Sequence, residues 1–311
     1  MAGLAPGDEV TLAPGDYVGG WRLTRGGTPD APVVIRSLEG DHPARIISST
    51  SRSVIDIRAD DITLRGLHVG PTPASVHAVV LSGVSRVTVE ECRFDDIGGF
   101  AVVQTMTGRA LVVRGNHIRG SRSTAMYLGC HGGHCAVTDL LIEGNDIDGV
   151  TAPWRRIGYG IQVKLNSSAT IRDNRIRNTK GPAIMVYGSE RPELTSVIEG
   201  NTVTGSRRSS GIVVGGGPAI VRDNVASHHA EAGIGLEDYR GRGLLRAVEV
   251  CGNTVYGNRG GGIVVRATGP IEARVTGNVV HARRGTPALP SGESGAQVGP
   301  NVDCSGGTCH G

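Results

Sequence analysis

The sequence predicts an all-β solenoid, a single parallel β-helix of about ten coils. Two recurring patterns predict this fold. A five-residue segment with alternating apolar residues returns along the chain, and a Gly-Asn or Asp-Asn pair recurs between its copies. The repeat length is about 22 to 24 residues, with insertions in some coils, which is typical of a solenoid. We assign residues 1–283 to the β-helix and residues 284–311, rich in Pro, Gly and Ser, to an irregular tail.

The first pattern has the form Gly/Ala-apolar-x-apolar-x. Its copies are AVVLS from Ala78, AVVQT from Ala101, AMYLG from Ala125, GIQVK from Gly160, AIMVY from Ala183, GIVVG from Gly211, GIGLE from Gly233 and GIVVR from Gly262. Alternation with period two predicts a strand with one buried face, so the second and fourth residues point into the coil. The exception is Gln104, a polar residue in the fourth position.

The second pattern aligns asparagines at one bend of successive coils. They are Asn116, Asn145, Asn174, Asn201, Asn224, Asn253 and Asn278. We expect these side chains to bond the turn backbone and one another, which satisfies buried polar groups. Upstream, residues 1–57 give less regular strand segments, namely VTL at 10–12, VVIRS at 33–37, ARII at 44–47 and VIDIR at 54–58.

Composition limits the classes of function. The 49 glycines and 3% aromatic residues suit a narrow interior filled by small aliphatic side chains with tight turns. A net charge of +3 without a Lys/Arg run argues against a nucleic-acid partner. No apolar run approaches the length of a membrane span. We expect a monomer.

The six cysteines divide by position. Cys130 with Cys135, and Cys304 with Cys309, each flank a Gly-Gly pair in a short loop, and we predict two small disulfides. Cys92 and Cys251 lie about six coils apart and are predicted to be free buried thiols. The loop CHGGHC could alternatively bind zinc, although one ion is hard to wrap with six consecutive residues. Disulfides favour an extracellular or periplasmic location, with a leader removed from this chain.

The repeats over residues 4 to 281 resemble the right-handed parallel β-helix proteins of pectin-lyase-like fold. The segment GIQVKLNSSATIRDN from Gly160 is also similar to a coil of polysaccharide lyase family six, the chondroitinase B and alginate lyase group. That resemblance implies that Lys164 is a catalytic base, and it implies a calcium ion held by acidic residues. Here Gln162 occupies the acidic position and Tyr187 stands where the family has an arginine. We therefore predict no cofactor, with calcium as the option that the family suggests.

The third and fifth residues of each five-residue segment should point outward onto one face. Polar and aromatic residues concentrate there in the middle and later coils. The insertions CHGGHCAVTD, TAPWRRIGY, SERPELTS and DYRGRGLLR lie beside them, which predicts a groove with walls. Gly215, without a side chain, should leave a notch between Tyr187 and Glu237. The predicted catalytic residues are Lys164 and Tyr187. The predicted substrate-binding residues are Tyr127, Trp154, Arg155, Arg156, Tyr159, Gln162, Glu237 and Arg266.

These residue types suit an acidic polysaccharide, because aromatic rings and arginines can hold a sugar that carries a carboxylate. In β-elimination Lys164 would take the proton α to the uronate carboxylate, Tyr187 would protonate the leaving oxygen, and Arg155, Arg156 or Arg266 would offset the carboxylate charge. The alternatives are a uronate C5-epimerase and a non-catalytic carbohydrate-binding solenoid, in which Lys164 is an exposed, solvated side chain. A hydrolase needs two opposed carboxylates, which Glu237 and Asp238 do not supply. Glu237 and Arg266 can instead form a surface ion pair.

Overall fold

The computed structural model describes residues 3–38, 43–47, 52–153, 157–267, 269–291 and 294–304. Within them the chain winds as a parallel β-helix, in which each strand pairs in parallel with its counterpart on the next coil. Two sheets contain twelve strands and a third contains ten, so the predicted fold is confirmed and the coil number lies close to the prediction. The described residues contain no α-helix, and Tyr239–Gly241 forms a 3-10 turn.

The first sheet consists of Glu9–Leu12, Val33–Ser37, Ile62–Arg65, Val87–Glu90, Val112–Arg114, Leu140–Glu143, Ala169–Arg172, Ser196–Glu199, Ala219–Arg222, Val248–Cys251, Ala273–Thr276 and Gln297–Val298. The second sheet consists of Gly15–Val18, Ala44–Ile47, His68–Val69, Arg93–Ile97, His117–Ser121, Asp146–Val150, Arg175–Arg177, Thr202–Thr204, Val225–Ser227, Thr254–Tyr256, Val279–His281 and Val302–Asp303. The third sheet consists of Trp21–Leu23, Ser53–Ile57, His77–Leu81, Val102–Gln104, Met126–Leu128, Ile161–Val163, Ile184–Val186, Ile212–Val214, Ala232–Glu237 and Gly261–Arg266. A small separate pair joins Gly108–Arg109 to Val137–Thr138.

The core is a stack of aliphatic side chains inside the coils. In the third sheet the second and fourth residues of each five-residue segment are inside, as the alternation predicts, and Ile161, Val163, Ile184 and Val186 are fully buried. The exception, Gln104, is also fully buried. Its amide nitrogen donates to the Val84 carbonyl at 3.2 Å and its oxygen accepts from the Gly83 N–H at 3.3 Å, so a neighbouring turn satisfies the buried amide.

The asparagine column forms the predicted ladder. Asn201, fully buried, donates from its side chain to the Ile171 carbonyl at 2.8 Å and to the Asn224 side-chain oxygen at 2.9 Å. The same Asn224 oxygen accepts the backbone N–H of Asn201. The residue before each asparagine has a positive φ, for example 63° at Gly115 and 55° at Asp173, which explains the recurring Gly-Asn and Asp-Asn pairs.

The ladder extends at both ends beyond the seven asparagines, and Cys92 takes the place of an asparagine in the CRF segment as its alignment with NHI predicts. Cys92 heads it, because its N–H donates to the Asn116 side chain. Asn301 continues it, because its side-chain oxygen accepts from the N–H of Asn278. Gln297–Val298 and Val302–Asp303 pair with the first and second sheets, so the segment 284–311, expected to be irregular, contains a partial coil. Pro300-Asn301 replaces the usual Gly-Asn or Asp-Asn pair there.

Three of the cysteine predictions can be compared with the structure. Cys130 and Cys135 form the predicted disulfide, with their Cα atoms 5.6 Å apart. Cys92 is a free, buried thiol, as predicted. Cys251 is also free, but the prediction that it is buried is wrong, because it ends a first-sheet strand and is only half-buried. Cys309, the predicted partner of Cys304, lies outside the described residues.

Candidate functional site

A cleft of about 610 Å³ lies on the outer face of the third sheet. We call it the lysine cleft. Its lining includes His77, Phe100, Tyr127, His131, Tyr159, Gln162, Lys164, Tyr187, Tyr239 and Arg240. The register of the sheet places Tyr127, Gln162 and Met185 side by side on successive coils, as the outward column of the sequence predicts. None of the described residues that line the lysine cleft is acidic.

Lys164 lies buried on the floor of this cleft, with 2% of its surface exposed. The alternative in which Lys164 is an exposed, solvated side chain is therefore wrong, because this part of the outward face is covered. Gly129 makes room for it, since a Cβ at that position would lie 2.8 Å from the Lys164 Cβ. The Lys164 Nζ lies 3.8 Å from the centre of the Tyr187 ring and 5.4 Å from that of Tyr127. The amine therefore lies within cation–π distance of both rings.

The surroundings of Lys164 favour its neutral form. Burial, and secondarily the charges of Arg240 and Arg242, lower the pKa of Lys164 to about 8. Lysine is rare in this chain, with only two lysines among its 32 lysine and arginine residues, so a lysine at this position is a notable choice of residue type. Arginine stays protonated in proteins and cannot act as a base, whereas a buried lysine can. The amine of Lys164 can therefore exchange a proton near neutral pH.

Tyr187 lies on the next coil and is also buried, with 3% of its surface exposed. Its hydroxyl accepts a hydrogen bond from the Gln162 amide at 2.9 Å and lies 3.3 Å from the Tyr159 hydroxyl. Burial, followed by the neighbouring Tyr159, raises the pKa of Tyr187 well above its usual range. The phenol therefore keeps its proton, and because the Gln162 amide donates to its oxygen, the Tyr187 O–H remains available as a donor.

Tyr239 and Arg240 line the lysine cleft and belong to the insertion DYRGRGLLR. They are not among the site residues predicted from the sequence. The Tyr239 ring packs edge-on against Tyr187, with 4.4 Å between ring centres. It also covers Gly215, where an added Cβ would lie 3.1 Å from the Tyr239 Cβ, so the predicted notch is filled. The Arg240 guanidinium lies 5.2 Å from the Tyr239 ring centre and brings an exposed positive charge to the cleft. The insertion itself was the signal that could have located both residues.

Aromatic side chains concentrate in the lysine cleft. The chain has two tryptophans, six tyrosines and two phenylalanines, and five of these ten residues line it. Phe100 and His77, also missed in the sequence, stack at 4.8 Å between ring centres, and Phe100 lies 5.3 Å from Tyr127. Phe100 directly precedes the AVVQT segment, so its place on the outer rim could have been read from the repeat.

A second cleft of about 410 Å³ adjoins the first and shares Ile157, Tyr159, Tyr187 and Tyr239 with it. We call it the basic cleft, because Lys180 and Arg208 line it. Glu237, predicted to bind substrate, also lines this second cleft.

Arg266 forms ion pairs with Glu237 at 3.1 Å and with Glu231 at 2.8 Å. The ion-pair interpretation of Glu237 and Arg266 is therefore confirmed. Burial raises the pKa of Glu237, and the charge of Arg266 opposes that rise. Arg266 lies among carboxylates rather than among the residues that line the lysine cleft.

The insertions do not all border the same cleft. The disulfide loop contributes His131 to the lysine cleft, and the segment before Gly160 contributes Ile157 and Tyr159. By contrast, Pro192 and Thr195 of the insertion SERPELTS line a separate depression beside Ile220 of the first sheet. Trp154, Arg155 and Arg156, predicted to bind substrate, lie outside the described residues.

The residues present do not suit the calcium site that the family resemblance implies. Calcium prefers oxygen ligands, several of them carboxylates. The residue at the expected acidic position is Gln162, and its amide N–H donates to Tyr187. Within the described ranges, no three His, Cys, Asp or Glu side chains lie together in a way that could hold a metal ion. Also within those ranges, no helix is long and apolar enough to cross a membrane.

The sheets and the cleft define a parallel β-helix protein with a buried lysine in an aromatic and cationic cleft. The model of the right-handed β-helix region matches residues 53–217 and 136–303. Because these matches cover most of the chain, the protein belongs to this family, and the predicted right-handed β-helix is confirmed. A search of curated proteins found no match.

Solved structures show the same fold at low sequence identity. The alginate lyase from Paenibacillus sp. str. FPU-7 is 17% identical with a TM-score of 0.63, over 94% of this chain and 93% of the lyase. The A-module of mannuronan C-5 epimerase AlgE6 from Azotobacter vinelandii is 13% identical with a TM-score of 0.62, over 96% and 91%. The GH136 lacto-N-biosidase from Eubacterium ramulus is 12% identical with a TM-score of 0.59, over 95% of this chain and 62% of that chain. At these identities the likeness extends to the fold and no further.

Proposed function

We propose that the protein cleaves an acidic, uronate-containing polysaccharide by β-elimination in the lysine cleft. One observation carries the proposal: a buried lysine with a pKa of about 8 lies between two tyrosine rings, in a cleft whose described lining contains cations and no acid. A cationic cleft attracts a carboxylate sugar, and a lysine that is partly neutral near pH 8 can remove a proton from it.

The residues of the cleft can supply each step. The neutral amine of Lys164 takes the proton from C5, which is α to the carboxylate. The electron pair left on C5 forms the C4–C5 double bond and expels the O4 oxygen, which takes the hydroxyl proton of Tyr187. Arg240 offsets the charge that builds on the carboxylate. Lys164 lies against the Tyr187 ring, so its new ammonium proton can return to the tyrosinate, directly or through water, and restore both groups.

Two further observations support the proposal. Solved structures of the same fold include an alginate lyase and a mannuronan C-5 epimerase. The Cys130–Cys135 disulfide supports an extracellular or periplasmic location, where acidic polysaccharides are accessible as substrates. The epimerase is the second candidate, because it begins with the same proton removal but ends with a proton returned to C5 and no bond broken.

The test is a panel of alginate, pectate and glycosaminoglycans, assayed by the ultraviolet absorbance of new unsaturated uronate ends. Appearance of these ends identifies a lyase. Exchange of the C5 proton with solvent deuterium, without new ends, identifies an epimerase. Binding with neither change supports the non-catalytic solenoid and would contradict the proposal.

The variant Lys164→Arg separates a base from a binding cation. It keeps the positive charge but cannot give up its proton, so we expect the rate to fall by about 10²- to 10⁴-fold, as for loss of a general base. Lys164→Met, with a similar length and no charge, should lose as much. Thermal melting of both variants checks that they fold. If Lys164→Arg retains activity within about threefold, Lys164 is not the base.

A further inference from the structure

The basic cleft lies beside the proposed reaction centre, on the side of the later coils. It shares the rings of Tyr159, Tyr187 and Tyr239 with the lysine cleft, so the two volumes adjoin. Its two cations occupy equivalent places on neighbouring coils, because the backbone N–H of Arg208 donates to the Lys180 carbonyl at 3.0 Å. The backbones of neighbouring coils are about 4.8 Å apart, so Lys180 and Arg208 can both contact one charged group in the basic cleft.

Among the described residues that line the basic cleft, Lys180 and Arg208 are basic and Glu237 is acidic. Lys180 donates to the carbonyl oxygens of Pro153 at 2.6 Å and Ala152 at 3.4 Å, which are neutral acceptors. The acid of this cleft, Glu237, is paired with Arg266. Burial, then the positive charges of Arg208 and Arg207, lower the pKa of Lys180, which is a further sign of crowded like charges.

This arrangement suits a second carboxylate. The apolar and aromatic walls, including Met185 and Val213, can pack against a sugar ring, while Lys180 and Arg208 face its charged group. A polymer in which uronates follow one another brings a carboxylate to both clefts. A polymer in which uronate alternates with an uncharged or amino sugar brings a carboxylate to one of them at a time.

We propose that the basic cleft is a subsite for the uronate adjacent to the reacting one, so that the protein selects polymers of consecutive uronates. The inference rests on the proposed function for the reacting sugar. It assigns Lys180 and Arg208 to recognition of the neighbouring carboxylate, and it requires no chemistry from them.

The experiment compares kcat and KM on size-matched oligosaccharides of consecutive uronates and of alternating uronate and amino sugar. The wild type should have the lower KM on the consecutive series. Arg208→Gln removes an exposed charge, and we expect it to raise KM on that series by about twofold to fivefold with kcat nearly unchanged. It should leave the alternating series unaffected. Lys180→Met should act in the same direction, and added salt should reduce the wild-type preference.

The matched control is Arg175→Gln, which removes one exposed arginine from the second sheet. It should change neither series. Equal losses on both series, or the same loss in Arg175→Gln, would show only a general charge effect and overturn the proposal. An unchanged KM in both Arg208→Gln and Lys180→Met would also overturn it.

A binding assay separates this proposal from the proposed reaction. Retention on immobilised consecutive polyuronate needs no turnover. If no polymer is cleaved but Arg208→Gln is retained less than Arg175→Gln, the subsite stands and the reaction fails. If cleavage depends on Lys164 while Arg208→Gln and Lys180→Met bind and turn over both series like the wild type, the reaction stands and the subsite fails.

Discussion

At the scale of single residues, the position of a side chain on the coil matters less than what covers it. The repeat correctly places Lys164 and Tyr187 on the outward face, yet both are buried. Tyr239 and Arg240 arrive from an insertion whose path no repeat specifies. These loops convert a surface lysine into one with a lowered pKa, which is the property that the proposed reaction needs.

The lowered pKa of Lys164 predicts how the rate depends on pH. The base must be neutral, so kcat/KM should rise with pH through about 8 and then level off. Arg240→Gln removes a positive charge that favours the neutral amine, so the rising limb should move to higher pH. A pH–rate profile of both proteins checks this. A rate that falls between pH 7 and 9 in the wild type would contradict a lysine base.

His229 predicts a pH dependence of stability that is independent of activity. It is fully buried inside the coil, where its Nδ1 accepts from the Ser206 N–H at 3.0 Å. Burial lowers its pKa to about 4, whereas the unfolded chain has the ordinary value near 6.5. The unfolded state therefore binds more protons between these values. The stability that His229 contributes is present above pH 6.5 and is lost as the pH falls toward 4.

The variant His229→Asn isolates this contribution. Asparagine occupies the same place on the next coil, where the Asn258 side chain accepts the His229 N–H, so an amide can keep the acceptor without titrating. We expect the wild type to lose about 1 to 3 kcal/mol more than the variant in the free energy of unfolding between pH 7 and 4. Denaturant unfolding at several pH values measures the difference. Parallel curves for the two proteins would exclude His229 as the source.

At the scale of the element, the asparagine ladder holds one bend of the coils. Each side chain satisfies groups on two coils, so the loss of one member leaves several buried groups without partners. In Asn201→Ala, the Asn174 N–H and side chain would lose their acceptor, and the Ile171 carbonyl its donor. An unsatisfied buried group costs about 1 to 3 kcal/mol, so we expect a loss of at least about 2 kcal/mol in the free energy of unfolding.

Asn301→Ala is the comparison for this prediction. Asn301 makes the same bonds at the half-buried end of the ladder, where water can replace them. Its loss should therefore cost less than that of Asn201. Chemical denaturation of both variants tests the order. Equal costs would mean that burial does not set the strength of the ladder.

The repeat explains why the elements could be predicted and why parts of the site could not. Apolar alternation and the bend asparagines fix strands, register and inward faces, because every coil must satisfy the same geometry. Gln104 departs from the apolar alternation and is satisfied by the turn at Gly83 and Val84, which no repeat encodes. Asn301 lacks a preceding Gly or Asp, yet it continues the ladder through Asn278. The walls of the lysine cleft come from insertions that each occur once in the chain. The sequence therefore indicated that insertions border the cleft, but not which of their side chains face Lys164.

At the scale of the whole molecule, the β-helix is a stack whose ends are its exposed edges. A bare sheet edge pairs readily with another chain. At the C-terminal end, Gln297–Val298 and Val302–Asp303 cover the strands Ala273–Thr276 and Val279–His281. Val275 and Val280 are fully buried above this partial coil. We therefore interpret residues 294–304 as a cover for the last full coil.

A chain that ends at residue 291 tests this interpretation. This truncation removes the partial coil. The Asn278 N–H then loses its acceptor on Asn301, and the side of Val275 and Val280 that faces the partial coil becomes exposed. We expect a lower melting temperature and concentration-dependent dimers or larger species, measured by light scattering after size-exclusion chromatography. The full chain, which keeps both short strands and the predicted Cys304–Cys309 disulfide, is the longer reference protein. If the shorter chain remains as stable and as monodisperse as the longer one, residues 294–304 do not protect the end of the stack, and the protection lies elsewhere on the last coil.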